Sequence, residues 1–375
     1  MRILYHHRTR SRDGQRVHID GLIGALRRAG HDVEIVGPPP KREPEGGEPT
    51  SGPPRRSFVR ELTELAYNAV EYVQLMRAAA RFRPDALYSR HALFVLAPGW
   101  VARRLRLPLV VEVNAPFTRE RSRHGGLVLS GLAMRLENSA LNGAGRVIVV
   151  TQVMAEMLAA QGVDARRIEV HWNGLEPDAL RPPAEPEVLR RDLGLEGRNV
   201  LGFVGYVRDW NRLDRTFPFL VRRPNAVLAL VGDGPDRPRL SREAERLGIA
   251  DRVRFLGTVP REKVMAHVAL FDVALLPETP AYTSPLKLLD YLVSGRAILA
   301  PDRPNIREVI IHDENGYLFD PQRTGDFDAK LEALLESEPL RRRLGAAARA
   351  TIDRFGLTWD HNAERAVAAF STLRG

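Results

Sequence analysis

The chain has 375 residues, 44% hydrophobic and 27% charged, with 56 Lys and Arg against 47 Asp and Glu for a formal net charge of +9. This length exceeds what one hydrophobic core usually supports, so two domains are expected, and no apolar run approaches the roughly 20 residues that span a bilayer. The lack of cysteine excludes disulfides, thiolate metal sites and thiol nucleophiles, while the cationic excess favours anionic partners or a solvated basic surface.

The N-terminal residues Met1–Tyr5 run straight into a strand-like stretch and then charge. They lack the longer apolar region of a signal peptide, so a cytoplasmic protein is expected. Strand-like and amphipathic helical runs then alternate along the whole chain, the signature of an α/β fold with parallel sheets covered by helices. In the first half the predicted strands are Arg2–Tyr5, Asp32–Val36, Ala86–Tyr88, Leu109–Val113, Arg146–Val150 and Ile168–His171. A helix is predicted from Val17 to Ala29, with Ile19, Leu22, Ile23 and Leu26 at helical spacing and Gly30 as its stop.

The stretch from Gly37 to Arg56 is too rich in Pro, Gly and charge to fold alone and reads as a surface loop. A helix follows over Val59–Phe82, whose Leu62, Leu65, Ala66, Val70, Val73 and Leu75 read as core packing. Interleaved Tyr67 and Tyr72 give a second reading, an acceptor- or membrane-facing surface. Around Leu180 to Leu193 the pattern breaks into the linker-like Arg181-Pro-Pro-Ala-Glu-Pro186. The predicted domains are therefore 1–180, with a C-terminal helix over 357–375 packing back on it, and 181–356.

In the second half, strands are predicted at Asn199–Val204, Ala226–Val231, Val253–Leu256, Val273–Leu276 and Ala297–Ala300. Helices are predicted at Arg237–Leu247, Glu262–Ala269, Pro285–Ser294, Phe327–Glu336, Pro339–Arg354 and Trp359–Leu373.

Parallel sheets bind ligands beyond the carboxyl ends of their strands, so the informative residues follow each strand. Asn199–Val204 is followed by Gly205, Arg208 and Arg212, and Ala226–Val231 by Gly232-Asp-Gly234-Pro235. Neither is a dinucleotide fingerprint or a Walker A loop, which argues against dehydrogenase and nucleotide-hydrolysis readings. The most specific run is Thr283-Ser284-Pro285-Leu286-Lys287-Leu-Leu-Asp290, closed by Ser294-Gly295. Serine caps helices and proline suits the first turn, so a helix start at Ser284–Pro285 would present unpaired amides to a phosphate. Asp290, about one and a half turns later, would accept hydrogen bonds from ribose hydroxyls.

With these motifs in order, the chain resembles the glycosyltransferases of family 4. The marks are Gly14 and Val17-His18 near the start, Asn173-Gly174, Gly205 with Trp210, Gly232 to Pro235, Arg252 to Gly257, Ser284 to Gly295, and Asn315-Gly316. The resemblance implies the GT-B fold, two Rossmann-like domains facing across a cleft. It implies an enzyme moving a sugar from a nucleoside-diphosphate sugar, UDP- or GDP-linked, to a saccharide or lipid-linked saccharide with retention of configuration.

Gly14 falls where the family brings backbone close to the diphosphate, in a loop with Arg8, Arg10, Arg12 and Arg16. Asp290 matches the ribose-binding acid, whereas Tyr282 replaces the family's other acid, leaving Glu278 as a substitute. Tyr206 and Asn211 stand where the family has Arg and Lys, so Arg208, Arg212 and Lys287 are the candidate diphosphate ligands. Asn114 aligns with a family His near the reacting sugar, where it would act by hydrogen bonding. Glu112 would orient an acceptor hydroxyl or form a structural salt bridge, and Arg90-His91 divides the same way.

No Asp-x-Asp or His cluster demands a metal, and no cofactor beyond the donor is expected. The basic N-terminal half could rest on an anionic membrane surface. A GT-B sugar-nucleotide epimerase and a non-catalytic basic binder are the alternatives, although nucleic-acid motifs are absent.

Overall fold

A computed structural model describes residues 1–10, 14–39, 57–123, 126–180 and 186–373. Arg12, most of the expected Gly37–Arg56 loop and residues 181–185 of the expected linker lie outside them. The chain divides into two compact units, Met1–Gly174 with Trp359–Gly375, and Leu175–Thr358.

The first unit contains β1 (Arg2–His6), α1 (Gly14–Arg28), β2 (Asp32–Val36), α2 (Phe58–Phe82), β3 (Ala86–Arg90), α3 (Ala97–Leu105), β4 (Leu109–Val113), α4 (Phe117–Arg123), α5 (Ser130–Asn142), β5 (Arg146–Val149), α6 (Gln152–Gln161) and β6 (Ile168–Val170). Its six parallel strands run in the order β2-β1-β3-β4-β5-β6. The second unit contains α7 (Pro186–Asp192), β7 (Asn199–Val204), α8 (Phe217–Arg222), β8 (Ala226–Val231), α9 (Arg237–Arg246), β9 (Val253–Gly257), α10 (Arg261–Val268), β10 (Val273–Leu275), α11 (Leu286–Ser294), β11 (Ala297–Pro301), α12 (Pro304–Arg307), β12 (Tyr317–Phe319), α13 (Asp326–Glu336) and α14 (Glu338–Phe355). Its parallel sheet reads β12-β11-β10-β7-β8-β9, a doubly wound order whose direction reverses between β7 and β10. The last helix, α15 (Trp359–Thr372), belongs to the first unit.

Every residue of β3, β4, β8 and β11 is buried, as expected for parallel strands covered on both faces. In the second unit Phe203, Phe217, Phe219, Phe319 and Phe327 pack into one core; each such ring contributes about 1.5–3 kcal/mol. In the first, Ile19, Leu22, Ile23 and Leu26 of α1 pack with Trp359 and Phe370 of α15. Gly21 makes that packing feasible, since a Cβ there would stand 2.3 Å from the Trp359 indole.

Two expectations change. A helix, α7, occupies Pro186–Asp192 within the stretch read as linker. Helix α2 does not bury the face its apolar residues suggested: Leu62, Val70 and Val73 are exposed, and Glu61, Asn68 and Glu71 are buried with Leu75. Each buried polar group has a partner that no pattern within the helix reveals.

Candidate functional site

The switch point of the second sheet gathers most of the predicted donor residues. Strands β7 and β10 pair only over Leu201–Gly202 and Val273–Ala274. Beyond that pairing, the Tyr291 hydroxyl bridges them, accepting from the Val204 amide and donating to the Leu275 carbonyl, both at 3.1 Å.

The turn after β7 is braced by the turn after β8. Gly205 and Gly232 both have φ near +124°, and a Cβ on Gly232 would lie 2.2 Å from the Gly205 carbonyl oxygen. Only glycine suits such a contact in that conformation. The Val207 amide also donates to the Asp233 carbonyl at 3.0 Å. Past this brace, the Arg208 guanidinium lies 4.5 Å from the Tyr206 ring centre and 4.9 Å from that of Trp210. Two exposed rings thus hold one cation. Asn211, where the family resemblance led one to look for a lysine, is buried and accepts from the Arg208 amide at 2.9 Å, shaping the turn. Arg212 adopts φ 51° and lies 3.6 Å from Asp214, with its side chain half-exposed.

Helix α11 begins one residue later than expected. Its N-cap is Pro285, with φ −71° and ψ 116°, and no side chain caps it; Ser284 is buried ahead of the helix. The preceding turn explains the shift. The Thr283 hydroxyl donates to the Pro280 carbonyl at 3.0 Å, and Asn305 of α12 donates to the carbonyls of Pro280 and Thr283 at 3.2 and 2.7 Å. The first turn, from Leu286, therefore starts without a side-chain cap, an arrangement suited to an anion.

Lys287 lies in that turn with its ammonium 4.0 Å from the Phe203 ring centre. Its Cε and Nζ come within 3.1 and 3.4 Å of where a Cβ on Gly205 would stand, so Gly205 opens the space beside it. Burial pushes the Lys287 pKa down to about 7, against the pull of Asp290. Asp290 is buried, and both its oxygens accept from Arg261 at the start of α10, at 2.9 and 3.2 Å. Burial pushes Asp290 up while Arg261 and Lys287 oppose it. Arg261 was not foreseen; only its place after β9 and Pro260 hinted at a role. Glu278 is bound through both oxygens by Arg303, at 2.7 and 3.1 Å.

In the first unit Glu112, the penultimate residue of β4, is the hub of a buried cluster. It accepts from the Tyr88 hydroxyl at 2.6 Å, from Arg90 at 2.9 Å and from the Asn114 side-chain amide, and His18 Nε2 lies 2.9 Å away. Burial alone would raise its pKa, but His18, Arg90 and Tyr88 outweigh it and hold the carboxyl far below the usual range. A carboxylate so committed is a weak base, and it fixes Asn114 in place. His91 pairs with Glu137 at 3.1 Å. Of the N-terminal arginines, Arg8 is engaged by Glu71 and Arg16 by Asp20, whereas Arg10 is exposed. Gly14 is the first residue of α1.

Among the described residues no group of His, Asp or Glu is arranged to hold a metal. The Asp-x-Asp spacing that the sequence does contain, Asp326 and Asp328, opens α13 and pairs with Lys330 and Arg222.

Two doubly wound parallel units, one of them with a glycine turn and an uncapped helix start at its switch point, have the architecture of the GT-B class. The chain belongs to glycosyltransferase family 4: residues 12–179 match the model described as Glycosyltransferase Family 4, and 186–351 match Glycosyl transferases group 1. It is 26% identical to a GDP-mannose-dependent alpha-mannosyltransferase of Mycolicibacterium smegmatis, over 94% of this chain and 92% of the relative. It is 28% identical to a D-inositol 3-phosphate glycosyltransferase of Nocardia farcinica, over 80% of this chain and 69% of the relative. Among solved structures, Anabaena HepE in complex with UDP superposes with a TM-score of 0.77 at 18% identity, over 99% of this chain and all of that one. The lipopolysaccharide glycosyltransferase WaaG gives 0.69 at 18%, over 96% and 98%.

Proposed function

We propose that the protein transfers a hexosyl group from a nucleoside-diphosphate sugar to a saccharide or lipid-linked saccharide, with retention of configuration, in polysaccharide biosynthesis. The nucleotide occupies the second unit and the acceptor the first. The observation that carries the reading is the uncapped start of α11, with Lys287 beside Gly205 at the switch point. A UDP- or GDP-linked donor is favoured, since a structural neighbour holds UDP and a relative is named for GDP-mannose.

In the reaction the anomeric C–O bond to the diphosphate breaks as the acceptor oxygen bonds to the same carbon from the same face. The acceptor proton passes to a departing diphosphate oxygen. Lys287, Arg208, Arg212 and the α11 amides meet the charge that grows on the leaving group. Asp290, steadied by Arg261, takes the ribose; Asn114, fixed by Glu112, hydrogen-bonds at the acceptor side. No cofactor beyond the donor takes part. With a lipid-linked acceptor, the protein works in the cytoplasm at the inner face of the membrane.

A thermal-shift screen over UDP, GDP, ADP, CMP and dTDP sugars tests this directly, because a ligand that binds only the folded state raises the midpoint. Selective stabilisation by one nucleotide, lost in Asp290→Ala, and lowered turnover in Arg208→Ala and Arg212→Ala are expected. Wild-type behaviour in all three variants overturns the site, and conversion of donor to an epimer without transfer overturns the reaction.

A further inference from the structure

Sugar hydroxyls are commonly held by carboxylates, and in the second unit the carboxylates nearest the ends of the interior strands are mostly engaged. After β8, Asp233 accepts from Arg237 at 3.0 Å; after β10, Glu278 is bound through both oxygens by Arg303; after β11, Asp302 is bound by Arg307. Asp290, deeper in α11, is held by Arg261. The exception follows β7. Asp209 accepts from the Trp210 amide at 2.8 Å through one oxygen, and among the described residues no arginine pairs with the other.

Asp209 sits in a turn that displays two rings. Tyr206 and Trp210 are 45 and 48% exposed, with the Arg208 guanidinium over both. The cation covers one face of each ring, and the exposed area lies away from it. Among the described residues neither the Tyr206 hydroxyl nor the Trp210 indole N–H has a hydrogen-bond partner, and no carboxylate pairs with Arg208. Such exposure would be ordinary on a loose loop, but this turn is fixed from below. Val207 and Leu213 are fully buried, and Val207 donates to the Asp233 carbonyl at 3.0 Å and accepts from the Asp236 amide at 3.3 Å. A Cβ on Gly234 would stand 2.2 Å from the Val207 carbonyl oxygen. Rings held in place in advance lose little freedom when a ligand covers them.

A flat apolar face rimmed by two donors and a carboxylate matches a pyranose, whose ring C–H groups form an apolar face and whose hydroxyls project from its edge. The position selects the same ligand. In the donor site the pentose lies at Asp290 and Arg261 and the diphosphate at Lys287 and the start of α11, so the base hangs from the pentose on the side away from the diphosphate. Tyr206 directly follows Gly205, the residue beside Lys287. The turn therefore begins at the diphosphate, where the next ring of the donor is the sugar.

We propose that the hexosyl group of the donor packs its ring against Trp210, with Asp209 accepting from its hydroxyls. The proposal rests on the donor site described above and names the residues that recognise its sugar.

Isothermal titration of the full-length protein with UDP against UDP-glucose, and with GDP against GDP-mannose, tests it. In Trp210→Ala the affinity for the preferred sugar nucleotide should fall roughly fivefold to tenfold, while that for its parent diphosphate stays within about twofold. Trp210→Phe, which keeps a ring, should restore most of the loss. The sugar nucleotide should also change tryptophan emission where the bare diphosphate does not, and this difference should vanish in Trp210→Phe. The Trp210 side chain is half-exposed, so the variants keep the wild-type melting midpoint. A wild type that binds none of the four compounds removes the UDP- or GDP-linked donor, and the proposal with it. If the wild type binds but Trp210→Ala weakens diphosphate and sugar nucleotide equally, or weakens neither, the donor site stands and the sugar platform is overturned. A Trp210→Phe variant no better than Trp210→Ala would overturn the stacking.

Discussion

Lys287 makes donor binding dependent on pH in a direction set by its surroundings. Its ammonium sits against Phe203 and beside Gly205, and burial brings its pKa down to about 7. The unbound protein therefore carries Lys287 half neutral near neutrality. A sugar-linked diphosphate has no group that titrates in this range, and its negative charge favours the protonated lysine, so binding takes up a proton above about pH 7. The dissociation constant should be flat below that pH and rise towards about tenfold per pH unit above it. Lys287→Met removes a charge-assisted hydrogen bond of about 1.5–3 kcal/mol, a loss of roughly 10- to 150-fold in affinity near pH 6, and also removes the slope. Isothermal titration with the stabilising nucleotide sugar between about pH 6 and 8.5, in buffers of differing ionisation enthalpy, reads both affinity and proton uptake. A wild-type profile flat to the upper limit, or an unchanged slope in Lys287→Met, would refute the reasoning.

Arg261→Ala leaves Asp290 buried without its bidentate partner; since Arg261 is itself 54% exposed, about 1 kcal/mol of stability should go. Donor binding should weaken with it, and donor binding that tightens instead would show that Arg261 blocks the carboxylate rather than aiming it. Gly345→Ala places a Cβ 2.0 Å from the Gly295 carbonyl oxygen, forcing α14 away from the end of α11. The cost is about 1–3 kcal/mol, visible in calorimetry as a drop of the second unit's transition by roughly 2–12 °C. Glu112 has a folded pKa far below its unfolded one, so its contribution is present above the unfolded pKa of about 4.3 and lost as pH falls towards the folded value. Glu112→Gln leaves Arg90 buried beside a neutral partner, costs about 3–5 kcal/mol at neutral pH, and should flatten the acid limb of stability measured by denaturant titration.

The interior strands were legible because parallel strands buried on both faces read as short apolar runs: β4, β7 and β8 lie where the hydrophobic pattern puts them. Edge strand β12 has only three residues, too few to establish a period. Helix α2 was misread because what decides its orientation is not apolar. Its buried polar groups find partners 26 to 68 residues away, and the outward stripe has the same spacing as a core stripe. The switch-point turns were visible as glycines after strands, and Lys287 and Asp290 as polar residues early in a helix. The brace of Gly232 on Gly205 and the pair of Arg261 with Asp290, 29 residues apart, exist only once the sheet brings their loops together. The start of α11 slipped by one residue because Asn305, another distant partner, holds the turn that precedes it.

The return of α15 to the first unit has a consequence for synthesis. Trp359 and Phe370 complete the packing on α1, yet they are synthesised only after the whole of the second unit. The second unit, continuous from Leu175 to Thr358, can finish folding on the nascent chain while the first waits with α1 uncovered. A chain stopped short of Trp359 would leave that apolar seam open to chaperones and proteases, so such a truncation should yield a degraded product rather than an enzyme.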